Sequence, residues 1–255
     1  MTAIIGHRGA RNLWAENSAT GFRNAVALGC DAIEFDVHLT DSGEVVVIHD
    51  ATLDRTTDAA GPVAALTPDA RRAVRLTDSE DGLPTLGDVL DILAPAEGLG
   101  LHVELKLGVD GRPYEGLAAR VAEAVTARGL GPRCHLTSFS VDVLEACRDA
   151  APGIRRLVSA DEAWITRQGG LAAFIGRVHG LADVMALRHD FLEPEWDAVA
   201  ASWDVERVCV WTVNDEATMR DFLARGVGNL TTDRPDLALT CRDGAFGESR
   251  YRDYA

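Results

Sequence analysis

Eight short runs rich in apolar and β-branched residues recur along the chain: AIIGH from Ala3, AIEFDV from Ala32, LHVELK from Leu101, HLTSF from His135, IRRLVSA from Ile154, DVMAL from Asp183, VCVWTV from Val208 and NLTTD from Asn229. Each run except the last is followed by a longer connection, and several connections carry helical periodicity. Residues 116–128 put Leu117, Val121, Ala124 and Val125 on one face and stop at Gly129. Residues 18–28 open with Ser18 as N-cap and end before Gly29, and residues 85–94 start at Thr85 and repeat Leu86, Val89, Leu90 and Leu93. Residues 141–150 and 215–225 read alike. Strand alternating with helix implies a parallel sheet, and eight such units imply closure into a (β/α)8 TIM barrel. An open doubly wound sheet is the alternative, but no GxGxxG follows the first run. At 255 residues and 47% hydrophobic, the chain suits a single domain of that size, spanning residues 1–240.

Residues 41–83 break the alternation. EFDVHLT, the turn signal DSGE and VVVIHD together read as a hairpin, so VVVIHD runs antiparallel and is not a barrel strand. The expectation is a small insertion after the second strand, at about residues 41–83, above the barrel. Residues 241–255 read as a polar C-terminal tail.

The formal net charge of -15 repels nucleic acid and anionic membranes, so neither a nucleic-acid partner nor stable membrane association is expected. An anionic substrate must then meet a local positive site, either a bound cation or a few placed basic groups. The five cysteines, at 30, 134, 147, 209 and 241, show no CxxC spacing and read as free thiols of a reducing cytoplasm. No targeting segment and no membrane-length apolar run is visible, which makes the cytoplasm the expected location.

Strand residues two apart share a face, so Glu34 pairs with Asp36 and Glu104 with Lys106. Carboxylates at the inner ends of buried strands are costly unless paired or metal-bound. Three of them match an oxygen-ligand site for one divalent cation, Mg²⁺ or Ca²⁺, the bland alternative being salt-bridged structural charges. A two-residue Ser42-Gly43 turn pairs residues whose numbers sum to 85, which sets His49 opposite Asp36 on one face; a one-residue slip turns it away. The first run ends in Gly6-His7-Arg8-Gly9, at the functional end by barrel logic. His7 could titrate near neutrality, and Arg8 could grip a phosphate with two donors. Taken alone, each is more often structural. Together, two histidines, three carboxylates, one arginine and one lysine on one rim are what phosphoryl transfer needs.

His7-Arg8-Gly9, Glu16-Asn17-Ser18, Glu34-Phe35-Asp36-Val37, His49-Asp50 and Glu104-Leu105-Lys106 resemble, in order and spacing, the glycerophosphodiester phosphodiesterase family. Thr137-Ser138-Phe139, Trp211-Thr212-Val213-Asn214 and Thr231-Thr232-Asp233-Arg234-Pro235 extend the resemblance over residues 4–237. It implies a barrel with an insertion after the second strand, and hydrolysis of glycerophosphodiesters to sn-glycerol 3-phosphate and an alcohol with a divalent cation. It also implies Glu34, Asp36 and Glu104 as metal ligands and His7 and His49 as the acid–base pair. Arg8 and Lys106 would contact phosphate, Asn17 would add a polar contact, and Trp211 would wall the glycerol pocket. The family mechanism is commonly drawn through a cyclic phosphate, and the sequence leaves direct water attack open. Ser18 stands where Thr is frequent, Gly228-Asn229-Leu230 where a more apolar segment is usual, and residues 161–190 are less familiar.

Three rivals stand beside this reading. A lysophospholipase D or sphingomyelinase D needs an apolar groove, for which no hydrophobic loop is evident. A Schiff-base barrel using Lys106 leaves the histidines and carboxylates unexplained. An inactive barrel that only binds a phosphate ligand typically lacks an acid–base or metal residue, and none is missing here.

Overall fold

The computed structural model describes residues 1–252 of the chain. Its strands are β1 (Ala3–His7), β2 (Ala32–Leu39), β3 (Val45–Val47), β4 (Gly100–Leu105), β5 (Cys134–Ser138), β6 (Arg155–Ala160), β7 (Val184–Arg188), β8 (Val208–Trp211) and β9 (Asn229–Thr232). All but β3 pair with their neighbours in parallel, and β1 pairs with both β2 and β9, so the sheet closes into a TIM barrel.

Several helices begin where a side chain completes their first turn. Ser18 caps Ala19–Leu28 by accepting from the Gly21 N–H, and Gly29, at φ 91°, ends that helix in the left-handed conformation. Thr85 and Asp88 cap Leu86–Leu93 reciprocally. Leu86, Val89, Leu90 and Leu93 are buried against the outer face of the sheet, where Phe35, Val37, Leu101 and Val103 project. The less familiar stretch after β6 holds two short helices, Glu162–Arg167 and Leu171–Val178, stapled by the Trp164 and Phe174 rings at 5.1 Å. The segment read as a polar tail is helical within Pro235–Arg252, and its Cys241 is buried; the last three residues of that expectation lie outside the described residues.

Strand parity decides what faces the barrel interior. Ile5, Ala32, Leu157 and Val184 form an apolar layer near the base. Two residues further along their strands stand His7, Glu34, Ser159 and Ala186, with Glu104 and Thr137 joining from β4 and β5. The interior thus turns from apolar to polar towards the strands' C-terminal ends, where barrel sites form.

The insertion after β2 is a real hairpin, but its register is not the expected one. Val37 pairs with Val47, His38 with Val46 and Leu39 with Val45, one residue off the expected pairing. The Gly43 N–H donates to Thr40 O at 2.9 Å, the Thr40 N–H donates to Glu44 O at 2.9 Å, and Gly43 lies at φ 89°. The turn is therefore a three-residue loop with a left-handed glycine, which adds one residue to the two-residue turn read from the sequence. Ile48, not His49, is bonded to Asp36, through the Asp36 carbonyl at 3.0 Å. His49 lies past the end of β3, where the chain has left the ladder, and reaches the barrel mouth by that turn rather than by cross-strand pairing. The rest of the insertion has a small core of its own, including Val46, Ile48, Leu53, Val63 and Leu83.

Gly228, at the start of the closing strand, has no room for a side chain. A Cβ there would stand 1.8 Å from the backbone oxygen of Glu206, while the Gly228 carbonyl accepts from the Ala3 N–H at 2.9 Å. Backbone cannot rotate aside as a side chain can. Gly228→Ala is expected to destabilise the fold by about 1–3 kcal/mol, the usual cost of overpacking, seen as a lower urea midpoint; an unchanged midpoint would contradict this placement.

Candidate active site

One cavity at the C-terminal mouth of the barrel is lined by His7, Arg8, Glu34, His49, Glu104, Lys106 and Trp211. These seven come from β1, β2, β4, β8 and the insertion, so the fold gathers what the sequence scatters. Asp36 stands just behind them and is ion-paired with two of them, Arg8 and Lys106. Asn17 does not line the cavity. Its amide donates to Asp36 Oδ2 at 3.0 Å, which makes it a support for the carboxylate rather than a wall of the pocket.

The loop after β1 is bent to serve this geometry. Arg8, Gly9 and Ala10 all have positive φ, at 51°, 74° and 68°. Left-handed backbone costs a non-glycine residue about 1–2 kcal/mol. Here it turns the Arg8 N–H onto Glu34 Oε2 at 3.1 Å. Gly9 has the further reason that a Cβ would press within 3.1 Å of the Gly21 carbonyl carbon and the Phe22 ring.

The three buried carboxylates Glu34, Asp36 and Glu104 each offer one oxygen within 4.8 Å of the others. Burial and the charges of Asp36 and Glu104 push the Glu34 carboxyl well up. Burial also raises Asp36, but Lys106 and Arg8 outweigh it and hold that group ionised. Lys106 Nζ bonds Glu104 and lies 3.0 Å from Asp36 Oδ1, and Arg8 Nε lies 3.3 Å from Asp36 Oδ2. Glu34 Oε1 is buried with no hydrogen-bond partner among the described residues. A clustered, partly unpartnered set of carboxylate oxygens fits a hard divalent cation.

Each histidine is backed by an aspartate. His7 Nδ1 is 2.6 Å from Asp233 Oδ1, and His49 Nδ1 is 2.6 Å from Asp50 Oδ1. With Nδ1–H donating to a carboxylate, Nε2 is left without a proton, and both rings line the cavity. His7 Nε2 lies 3.8 Å from Glu34 Oε2. Burial lowers both imidazole pKa values below 6.5, against the opposing pull of Asp233 on His7 and of Asp36 on His49. Asp233 is itself fully buried and accepts from Arg11 Nε at 2.8 Å and Asn214 Nδ2 at 2.7 Å. Burial raises its carboxyl, but the bonds from His7 and Asn214 and the charge of Arg11 prevail and hold it at about 2. His38, buried on β2, sits 3.0 Å from the backbone oxygen of His49 and so fixes that segment from below.

The remaining wall is aromatic. Trp211 meets Phe139 edge to face at 5.4 Å, and Lys106 Nζ lies 6.0 Å from the Phe139 centroid. The Trp211 indole N–H is buried without a partner among the described residues. Deeper in, His102 lines the floor with its ring 4.8 Å from that of His135, and burial keeps both imidazoles neutral.

Asp233, Asn214, Arg11, Asp50 and Phe139 escaped the sequence reading as site residues. Asp233 and Asn214 lie in segments that carried the family resemblance, and Asp50 directly follows His49, but nothing in spacing tells which acid backs which histidine.

The Glycerophosphoryl diester phosphodiesterase family, taken as a sequence profile, matches residues 7–237. The chain belongs to this family. YqiK of Bacillus subtilis is 30% identical, over 93% of this chain and 97% of its own length. A glycerophosphodiester phosphodiesterase of Caldanaerobacter subterraneus is 26% identical, over 93% of this chain and 96% of its own. A solved Agrobacterium tumefaciens structure assigned as a glycerophosphoryl diester phosphodiesterase superposes with a TM-score of 0.87 at 26% identity, covering 96% of this chain and 98% of that one. Membership makes the chain a phosphoric diester hydrolase, and the barrel mouth is where family, fold and residue chemistry coincide. Among the described residues no helix is long and apolar enough to cross a membrane.

Proposed function

We propose that the chain hydrolyses water-soluble glycerophosphodiesters to sn-glycerol 3-phosphate and an alcohol, with one divalent cation, Mg²⁺ or Ca²⁺, held by Glu34, Asp36 and Glu104. One observation carries this reading: three carboxylates at the barrel mouth offer oxygens within 4.8 Å of one another, and Glu34 Oε1 is buried without a partner among the described residues. With a cation bound all three carboxylates would be ionised, and set against Arg8 and Lys106 alone they would carry one negative charge in excess. A divalent cation reverses that to one positive charge, which matches the single negative charge of a phosphodiester. The bound cation would neutralise phosphate charge and polarise the P–O bonds.

The chain's own residues supply the rest. Arg8 and Lys106 turn from their carboxylates towards the equatorial phosphate oxygens. The bare Nε2 of one histidine takes the proton from the attacking oxygen. The other histidine, protonated, delivers a proton to the departing alcohol oxygen as its bond to phosphorus breaks. When the attacker is the glycerol hydroxyl, the product is a cyclic phosphate, and water opens it with the two histidines exchanging roles. When the attacker is water, a single displacement finishes the reaction. Phe139 and Trp211 form an apolar wall that excludes other water from the glycerol side. The five cysteines are unpaired and buried, which fits a reducing cytoplasm.

The test is release of glycerol 3-phosphate from glycerophosphocholine and glycerophosphoethanolamine, with a lysolipid assayed beside them. Release from the soluble diesters is expected. Turnover confined to the lysolipid would replace this substrate class with a lysophospholipase D reading.

A further inference from the structure

We propose that Arg55, a half-exposed residue of the insertion outside the catalytic cavity, is a positioning residue that latches the insertion onto the barrel and holds His49 in register for proton transfer. The inference rests on the acid–base reading of His49. Arg55 spans two carboxylates that belong to different parts of the fold. Its Nε and Nη2 donate to Asp50 Oδ2 at 2.6 Å and Oδ1 at 3.1 Å. Its Nη1 and Nη2 donate to Glu16 Oε2 at 3.0 Å and Oε1 at 2.8 Å. Asp50 is the acceptor of His49 Nδ1. Glu16 also accepts from Arg8 Nη1 at 3.2 Å. A continuous chain of charge-assisted bonds therefore runs from the phosphate-facing Arg8 through Glu16, Arg55 and Asp50 to His49.

The reason His49 needs such a latch is its place in the chain. Unlike His7, which ends a strand bonded on both sides, His49 has left the β3 ladder. The two aspartates differ in the same way. Asp233 is fully buried and is gripped by Asn214 and Arg11, whereas the Asp50 side chain is 29% exposed and accepts from His49 and Arg55. A partly solvated carboxylate on a turn swings freely unless something fixes both its oxygens. A guanidinium, planar and five-donor, can give two donors to each of two carboxylates in a fixed plane; an ammonium, with three donors on one atom, can touch two carboxylates but cannot hold both of them bidentately. Ion pairs this exposed add little to stability. The latch should thus be felt in turnover and not in melting.

A double-mutant cycle on turnover decides it, with Arg55→Ala, Asp50→Asn and the pair, each checked for its melting temperature. Arg55→Ala is expected to lower kcat by about tenfold or more, with KM little changed, the scale of loss that a misplaced catalytic group causes. The double variant should be no slower than Asp50→Asn, because both changes break one chain of contacts. Arg55→Lys, which keeps charge but not the double grip, should recover only part of the loss, and it serves as the reporter if the alanine variant melts early. Strictly additive losses, or an Arg55→Ala enzyme with wild-type kcat, would overturn the latch. His49→Ala run in parallel separates two failures. An inactive His49→Ala with an additive cycle sinks the latch alone; a fully active His49→Ala sinks the acid–base reading and the latch with it.

Discussion

Alanine at His7 or at His49 is expected to lower turnover by about 10²–10⁴-fold, the usual size of a general acid–base contribution. The two losses arise from the same chemistry but should not add in full, since each histidine depends on the other to complete proton transfer. The barrel fold should survive either change. His49 is partly exposed on a turn, and His7 sits at a strand end whose backbone bonds, to β2 and β9, do not involve the ring. Steady-state kinetics on a soluble glycerophosphodiester checks this, with KM expected to move far less than kcat because neither ring is the main phosphate ligand. A loss below tenfold at both positions would remove these histidines from the mechanism.

Glu34→Gln is expected to weaken divalent-cation binding at least about 10–100-fold, the loss that outer supports of metal ligands alone can cause. Turnover should fall by about 10²–10³-fold, as when one preorganised electrostatic contact is lost. Glutamine keeps the shape and can still accept the Arg8 N–H through its oxygen, so the bent loop after β1 is retained. What disappears is the negative charge that Glu34 would present to a cation. Arg8 and Lys106 then balance the remaining two carboxylates, and the electrostatic demand for a cation goes with the charge. Titration calorimetry on the metal-stripped protein measures the first effect. Wild-type cation affinity in Glu34→Gln would mean that Glu34 is a structural charge.

The barrel was legible because its signal is local. Each strand is a short apolar run, most helices have a cap or a glycine stop near at hand, and the strand runs recur eight times. Much of the site was legible for a related reason. Strand parity alone puts Glu34 with Asp36 and Glu104 with Lys106, and a parallel barrel sends strand ends to one rim. The hairpin register was not legible, because one left-handed glycine decides between a two- and a three-residue turn, and DSGE permits both. His49 nonetheless reaches the cavity, since the chain turns after β3 instead of continuing its pairing. The backing residues were out of reach for a different reason. His7 and Asp233 are 226 positions apart, and Arg55 and Glu16 are 39 apart. Such pairs are products of the closed fold and leave no periodic trace in the chain.

The account depends most on a cation held by Glu34, Asp36 and Glu104. The direct measurement is glycerol 3-phosphate release from glycerophosphocholine and glycerophosphoethanolamine by wild-type protein in excess chelator, followed by stepwise return of Mg²⁺ or Ca²⁺. The predicted result is loss of release in chelator and its recovery as one equivalent of cation binds, with no such recovery for Glu34→Gln over the same range. Undiminished release in chelator would contradict it.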